Sequence, residues 1–168
     1  MKSNRPKINV PVEPMDIILD LLSVAIISGT LVYAFISYAD LPEIIPSHFN
    51  ASGEVDGYSE KYMIWLVPVI SAVIFMGLFI MNKYPHLHNY MVNITEENAL
   101  KHYRFSTRII RFTNLFVTLI FGVILYAMVQ SAHGNSLKIG SWFIPAVLGF
   151  SVVLPIVIFV YQKKNLGK

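Results

Sequence analysis

The sequence predicts an all-α integral membrane protein, with four transmembrane helices and a short hairpin-like outer loop between the first and the second. Three observations predict it. Only 14% of the 168 residues are charged and 55% are hydrophobic, whereas an ordinary soluble domain carries roughly 25% charged residues. Residues 21–39, 62–82, 112–137 and 139–162 contain no Asp, Glu, Lys or Arg, and together they make up more than half of the chain. Each run reaches the about 20 residues that cross a bilayer core at about 1.5 Å rise per residue. Backbone groups in lipid need internal partners, and the polar-apolar alternation of a barrel is missing, so the spans are helices. A soluble enzyme and a disordered chain are excluded, and with no cysteine so is a disulfide-stapled secreted module. The net charge of +3 brings no basic groove with interleaved aromatics, so no nucleic-acid partner is expected.

The helices are expected at about 17–38, 62–82, 109–130 and 141–161, in a single domain over residues 1–168. The basic tail and apolar run that begin the chain look like a signal peptide, but that run is longer than the usual about 7 to 15 residues and contains Asp20, so an intact chain is expected. In helix one, Ala25 and Gly29 share a face; in helix three, Asn114, Thr118 and Gly122 do the same. Small and hydroxyl-bearing faces allow close helix approach, so both are read as packing seams. Pro68, Pro145 and Pro155 remove backbone donors and are expected to kink helices two and four. In the second connection, Thr95 is the expected N-cap with Glu96 and Glu97 in the first turn. Leu100, Tyr103 and Arg104 then lead into helix three as one continuous rod.

Basic residues orient the bundle. Lys2, Arg5, Lys7, Lys83, Lys101, Arg104, Arg108, Arg111, Lys163, Lys164 and Lys168 fall on one side, against Lys61 and Lys138 on the other. A cell-membrane protein with both termini cytoplasmic is expected. Trp65 and Trp142 at outer ends, with Tyr84, Tyr103 and Tyr161 at inner ends, fit aromatic belts.

This orientation brings Asp16 and Asp20, at the entrance of helix one, to the depth of Arg108 and Arg111, at the entrance of helix three. An acid one turn inside lipid is costly without a cation, so Asp20 is expected to pair with Arg108 or Arg111. The competing reading has the arginines snorkelling to headgroups and Asp20 favouring the positive end of the helix dipole. A proton relay would need several acids through the bilayer, and none follows Asp20.

The outer loop, residues 40–61, reads DLPEIIPSHFNASGEVDGYSEK. Pro42 and Pro46 favour extended entry, while Asn50-Ala51-Ser52-Gly53 and Asp56-Gly57 are turn chemistry. A hairpin with 44–49 facing 55–58 is expected. Leu41-Pro42, Ile45-Pro46, His48-Phe49-Asn50, Gly53, Asp56-Gly57-Tyr58 and Lys61 resemble the signature of the small domain of unknown function that begins the SdpI family of bacterial membrane immunity proteins. Asn93-Ile94-Thr95-Glu96-Glu97-Asn98-Ala99 with Tyr103 and Arg104 is similar to that family's cytoplasmic segment. The resemblance implies a role in sensing or resisting an envelope-active agent, as family members protect a producing cell from its own peptide toxin, a role coupled to signalling through a membrane-sequestered repressor.

His48, Glu54 and Asp56, with His133 from the second outer loop, suit zinc by type, but a zinc site needs three or four ligands and the motif holds one histidine. A neutral His48 bonded to loop backbone or to Asp56 is the preferred reading, with no metal and no cofactor. A calcium loop starting at Ser52 fails because Met63 occupies position twelve. The candidate ligand- or partner-binding set is His48, Asn50, Glu54, Asp56, Tyr58 and Lys61, with Glu43 and Glu60 completing an acidic surface for a cationic peptide or another membrane subunit. The competing view is a lid that holds helices one and two together. His86, His88 and His102 are expected to be titrating surface histidines. The sequons at Asn50 and Asn93 carry no information in a bacterial membrane.

Three functions are in contention. A membrane receptor, sensor or immunity factor acting by binding is preferred; an accessory or structural subunit of a transporter complex is the alternative, and a second copy of the chain is a further candidate partner. A membrane enzyme is not expected, because no activated nucleophile with its base and orienting group appears.

Overall fold

The computed structural model describes residues 5–135 and 140–166; Lys2, Lys138 and Lys168, used above for orientation, lie outside them. In chain order it has α1 (Pro14–Tyr38), strands β1 (Ile44–Phe49) and β2 (Val55–Glu60), α2 (Leu66–Met81), α3 (Ala99–Ala132) and α4 (Gly140–Tyr161). A 3-10 turn at Lys61–Trp65 leads into α2, and a π-helical turn at Gln162–Leu166 follows α4. Four helical segments are long and apolar enough to cross a membrane, so the chain is a multi-pass membrane protein. The two strands form its one sheet among the described residues. The bundle therefore has a hairpin end and a basic end.

The first helix begins earlier than its apolar run suggests. Pro14 takes the first helical position, where a missing N–H costs nothing, and the Glu13 N–H donates to Asp16 Oδ2 at 2.9 Å. The third helix is the expected rod, 34 residues long, or about 50 Å against a bilayer core of about 30 Å. Its N-cap is Asn98 rather than Thr95: the Thr95 N–H donates to Asn98 Oδ1 at 2.9 Å. Glu96 and Glu97 consequently lie in a turn that precedes the helix.

Helices α1 and α3 run parallel and in contact. A Cβ at Gly122 would sit 3.4 Å from Thr30 Cγ2, and Gln130 Nε2 donates to the Tyr33 hydroxyl at 3.2 Å. The expected α3 seam is real, since Asn114 and Thr118 are buried and Asn114 Nδ2 donates to the Phe75 carbonyl of α2 at 3.2 Å. The expected α1 seam is wrong. Ala25 and Gly29 are exposed, while Leu19, Ser23, Ile27 and Ala34 form the buried stripe. Ala25 lies about 200° around the helix from Ser23, and the side that carries Asp16 and Asp20 is the one that packs.

Pro68 falls in the first turn of α2, where its missing donor disrupts nothing, so only Pro145 and Pro155, inside α4, break a helical ladder. The fourth helix stands apart: none of its most apolar stretch is buried. It meets α3 through two ring stacks, Phe105 on Tyr161 at 4.6 Å and Phe116 on Phe150 at 3.6 Å.

At the basic end the N-terminal segment is a docked strap. Arg5 Nη1 donates to the His88 carbonyl at 2.6 Å and lies 5.2 Å over the Tyr90 ring, and the Tyr103 hydroxyl donates to the Pro6 carbonyl at 2.9 Å. Ile8 and Val10 complete an apolar knot around Ile94, Ala99 and Tyr103. Two expectations fall with this strap. Tyr103, placed in an aromatic belt, is fully buried, and His102, placed on the surface, is 2% exposed. His88 is half-buried as well, with Nδ1 3.0 Å from Ser106 Oγ and Nε2 donating to the Met81 carbonyl at 3.0 Å. Burial pushes its pKa below the ordinary histidine value, the Met81 bond opposes this, and His86 adds to it. Burial likewise pushes the Tyr90 phenol up to about 12.

Candidate functional site

The hairpin is fixed to the bundle by apolar side chains. Ile45 and Ile64 are fully buried with Leu41, against Ala34 of α1 and Leu125, Met128 and Val129 of α3. The Tyr38 and Trp65 rings lie 5.7 Å apart beside them. At about 25 cal/mol per Å² of apolar surface, a fully buried isoleucine stabilises this seat by roughly 2 kcal/mol.

The turn is built by Asn50. Its Oδ1 accepts from the Ser52 N–H at 2.9 Å and the Glu54 N–H at 3.0 Å, and Gly53 takes φ 76°, a conformation cheap only for glycine. Lys61 is also committed inside the chain, with Nζ 2.8 Å from Glu43 Oε1 and 5.4 Å from the Tyr38 ring centre. These two members of the expected binding set therefore hold the hairpin's shape.

His48, Glu54, Asp56 and Tyr58 are exposed. The strands pair Pro46 with Tyr58, His48 with Gly57, and Phe49 with Val55, leaving Ser47 and Asp56 as extra residues. Such bulges re-aim side chains, and here His48 Nδ1 meets Asp56 Oδ1 at 2.5 Å. The same crossing explains the glycine after Asp56: a Cβ on Gly57 would lie 2.8 Å from His48 Cβ. From Glu54 along β2, Glu54, Asp56, Tyr58 and Glu60 are exposed while the residues between them are half-buried. No Lys or Arg pairs with Glu54, Asp56 or Glu60 among the described residues.

Below the turn lies a cavity of about 180 Å³ bounded by Ser47, His48, Phe49, Ile124, Phe143 and Ile144. An acidic, tyrosine-bearing face beside an apolar recess can take a basic, apolar side-chain pattern. His133 ends α3, and among the described residues no three His, Asp or Glu side chains gather as a metal site.

The mutually paired charges sit at the opposite end, in a ladder of which Asp16 and Arg111 are buried. Arg111 Nε meets Asp20 Oδ2 at 3.0 Å, so Asp20 has one of its two expected partners. Arg108 instead meets Asp16 Oδ1 at 3.1 Å and Glu13 Oε2 at 2.5 Å, and Arg104 Nε reaches Glu13 Oε1 at 3.1 Å. Glu13 and Arg104 were missed as members. Their signal was spacing: residues 13, 16 and 20 share a helix face, and so do 104, 108 and 111.

Fold and site together define a multi-pass membrane protein that carries a two-stranded polar hairpin at one end of its helices. Residues 25–72, from the middle of α1 through the hairpin into α2, match the family model of a domain of unknown function, DUF1648. No curated protein and no solved structure matches the chain.

Proposed function

We propose that this protein is a receptor of the SdpI immunity or signalling type, with both termini cytoplasmic, and that it binds a cationic envelope-active peptide or a membrane partner through residues 40–61 without catalysing a reaction. The observation that carries this reading is the exposed row Glu54, Asp56, Tyr58 and Glu60, whose three acids pair with no Lys or Arg among the described residues. The similarity of residues 25–72 to the unknown-function domain centres on the same hairpin. Charge complementarity of this kind raises association rate and selects cationic partners.

The test uses purified protein in lipid nanodiscs and a panel of cationic amphipathic peptides. The E54Q/D56N/E60Q variant is expected to bind at least about tenfold more weakly, with an on-rate that no longer falls steeply with salt. His48→Gln should change binding while leaving thermal stability within about 1 kcal/mol, as for an exposed pair. No binding across the panel, joined to unchanged peptide sensitivity and transcription in cells lacking the protein, would overturn the reading.

The exposure of α4 favours a second reading, an accessory subunit of a transporter complex. Pull-down in mild detergent separates the two: a chain recovered only as monomer or homodimer counts against a subunit role.

A further inference from the structure

The junction of α3 and α4 at the basic end holds two cavities of opposite character. Phe105 lines both, and Tyr161, stacked on it, lines the second. On one side is an apolar hollow of about 490 Å³, walled by Met81, Leu87, Phe105, Ile109, Ile110 and Ile158. On the other is a hollow of about 370 Å³ whose charged lining is Lys101, Arg104 and Arg108 with one acid, Glu97, so that cations outnumber acids three to one. The ladder leaves both guanidiniums donors to spare. Arg104 contacts Glu13 through Nε, and Arg108 uses Nε and Nη2, from five N–H groups on each. Lys163 and Lys164 follow Tyr161 within one turn.

We propose that this junction binds one anionic phospholipid, its phosphate on the Lys101, Arg104 and Arg108 side and its acyl chains along the apolar hollow under Phe105. Three features choose this occupant. The cationic hollow asks for an anion, and Arg suits phosphate geometry. The apolar hollow lies beside it, shared through Phe105, so one amphiphile fills both. The site also opens at the end of spans Ala99–Ala132 and Trp142–Lys164, at the depth of lipid headgroups. A bound lipid would occupy the gap that the two ring stacks leave between α3 and α4.

Native mass spectrometry of the full chain tests this, with added phosphatidylglycerol, phosphatidylcholine and soluble glycerol phosphate as probes. Phosphatidylglycerol is expected to be retained in preference to phosphatidylcholine, with one lipid per chain and no displacement by glycerol phosphate. Lys101→Gln with Arg104→Gln should weaken that retention by about thirtyfold, as expected for two basic residues at a membrane surface. Ile158→Trp, which fills the apolar hollow and leaves the ladder intact, should weaken it as well. Lys83→Gln, a basic change lining a different cavity, should leave it unchanged. Equal retention of both lipids overturns the proposal. So does preference surviving both Lys101→Gln/Arg104→Gln and Ile158→Trp, or equal loss in Lys83→Gln, which would mean generic charge attraction. Binding of glycerol phosphate alone would make this a soluble-anion site and reject the lipid.

Discussion

The two ends of the bundle use their charges in opposite ways. At the basic end, Glu13, Asp16 and Asp20 turn inward and meet three arginines of α3; Asp16 is only 3% exposed. At the hairpin end, the apolar residues Ile45, Leu41 and Ile64 turn inward and the acids stay in solvent. One end is therefore a lock and the other a display. Carboxylates already matched to arginines are unavailable to a cationic ligand, so the acidic candidate surface falls at the end where packing is apolar.

Breaking the lock should cost most. Arg111→Leu leaves Asp20 without its cation and is expected to destabilise the protein by about 3 to 5 kcal/mol, whereas D20L/R111L should recover most of that loss because a paired removal leaves no orphan charge. Thermal unfolding in detergent distinguishes them, and equal losses in both would mean that α1 and α3 are held by packing alone. Ile45→Ala attacks the display from beneath and should cost about 2 to 5 kcal/mol, read as faster proteolysis within 40–61 while the helical signal persists.

Smaller effects sharpen the contrast. Gly57→Ala forces the hairpin to separate at His48; overpacking of this kind costs about 1 to 3 kcal/mol, and peptide binding should fall with it. The smallest effect is pH-dependent. His88 is held neutral by burial, so its folded pKa lies below the ordinary 6.5. Its contribution is complete above that value and declines as pH falls through it, because the unfolded chain then binds more protons. Hydrogen-exchange protection in 85–106, taken relative to the intrinsic rate at each pH, should fall between pH 7 and 5 and lose that dependence in His88→Asn. Unchanged exchange would show that the cap depends on Arg5 and Tyr103 rather than on His88.

The helices and the hairpin were legible because uncharged length and turn chemistry are local signals. The pairing of Asp20 was legible because lipid makes a lone acid expensive. The docked strap was not: Ile8 and Val10 lie among polar and basic residues, and only the distant Ile94 and Tyr103 give them something to cover. The roles of Asn50 and Lys61 were hidden for a related reason. Motif residues that shape a loop and motif residues that meet a ligand look alike in one sequence, and only geometry separates Asn50, bonded to its own turn, from exposed Tyr58. His102 misled because histidine is polar by type, whereas its burial comes from the strap packed across α3.

The ladder also sets an order of events during synthesis. Asp20 and Arg111 are 91 residues apart, and at about 5 to 20 residues per second the acid waits roughly 5 to 20 s for its cation. Throughout that interval α1 carries unmatched carboxylates near the bilayer edge, and α2 emerges without supplying a partner. A chain stalled before α3 therefore presents an apolar first span whose entrance carries acids without their cations. Arrival of Arg104, Arg108 and Arg111 ends that exposure, so the first helix reaches its matched state only once the third is made.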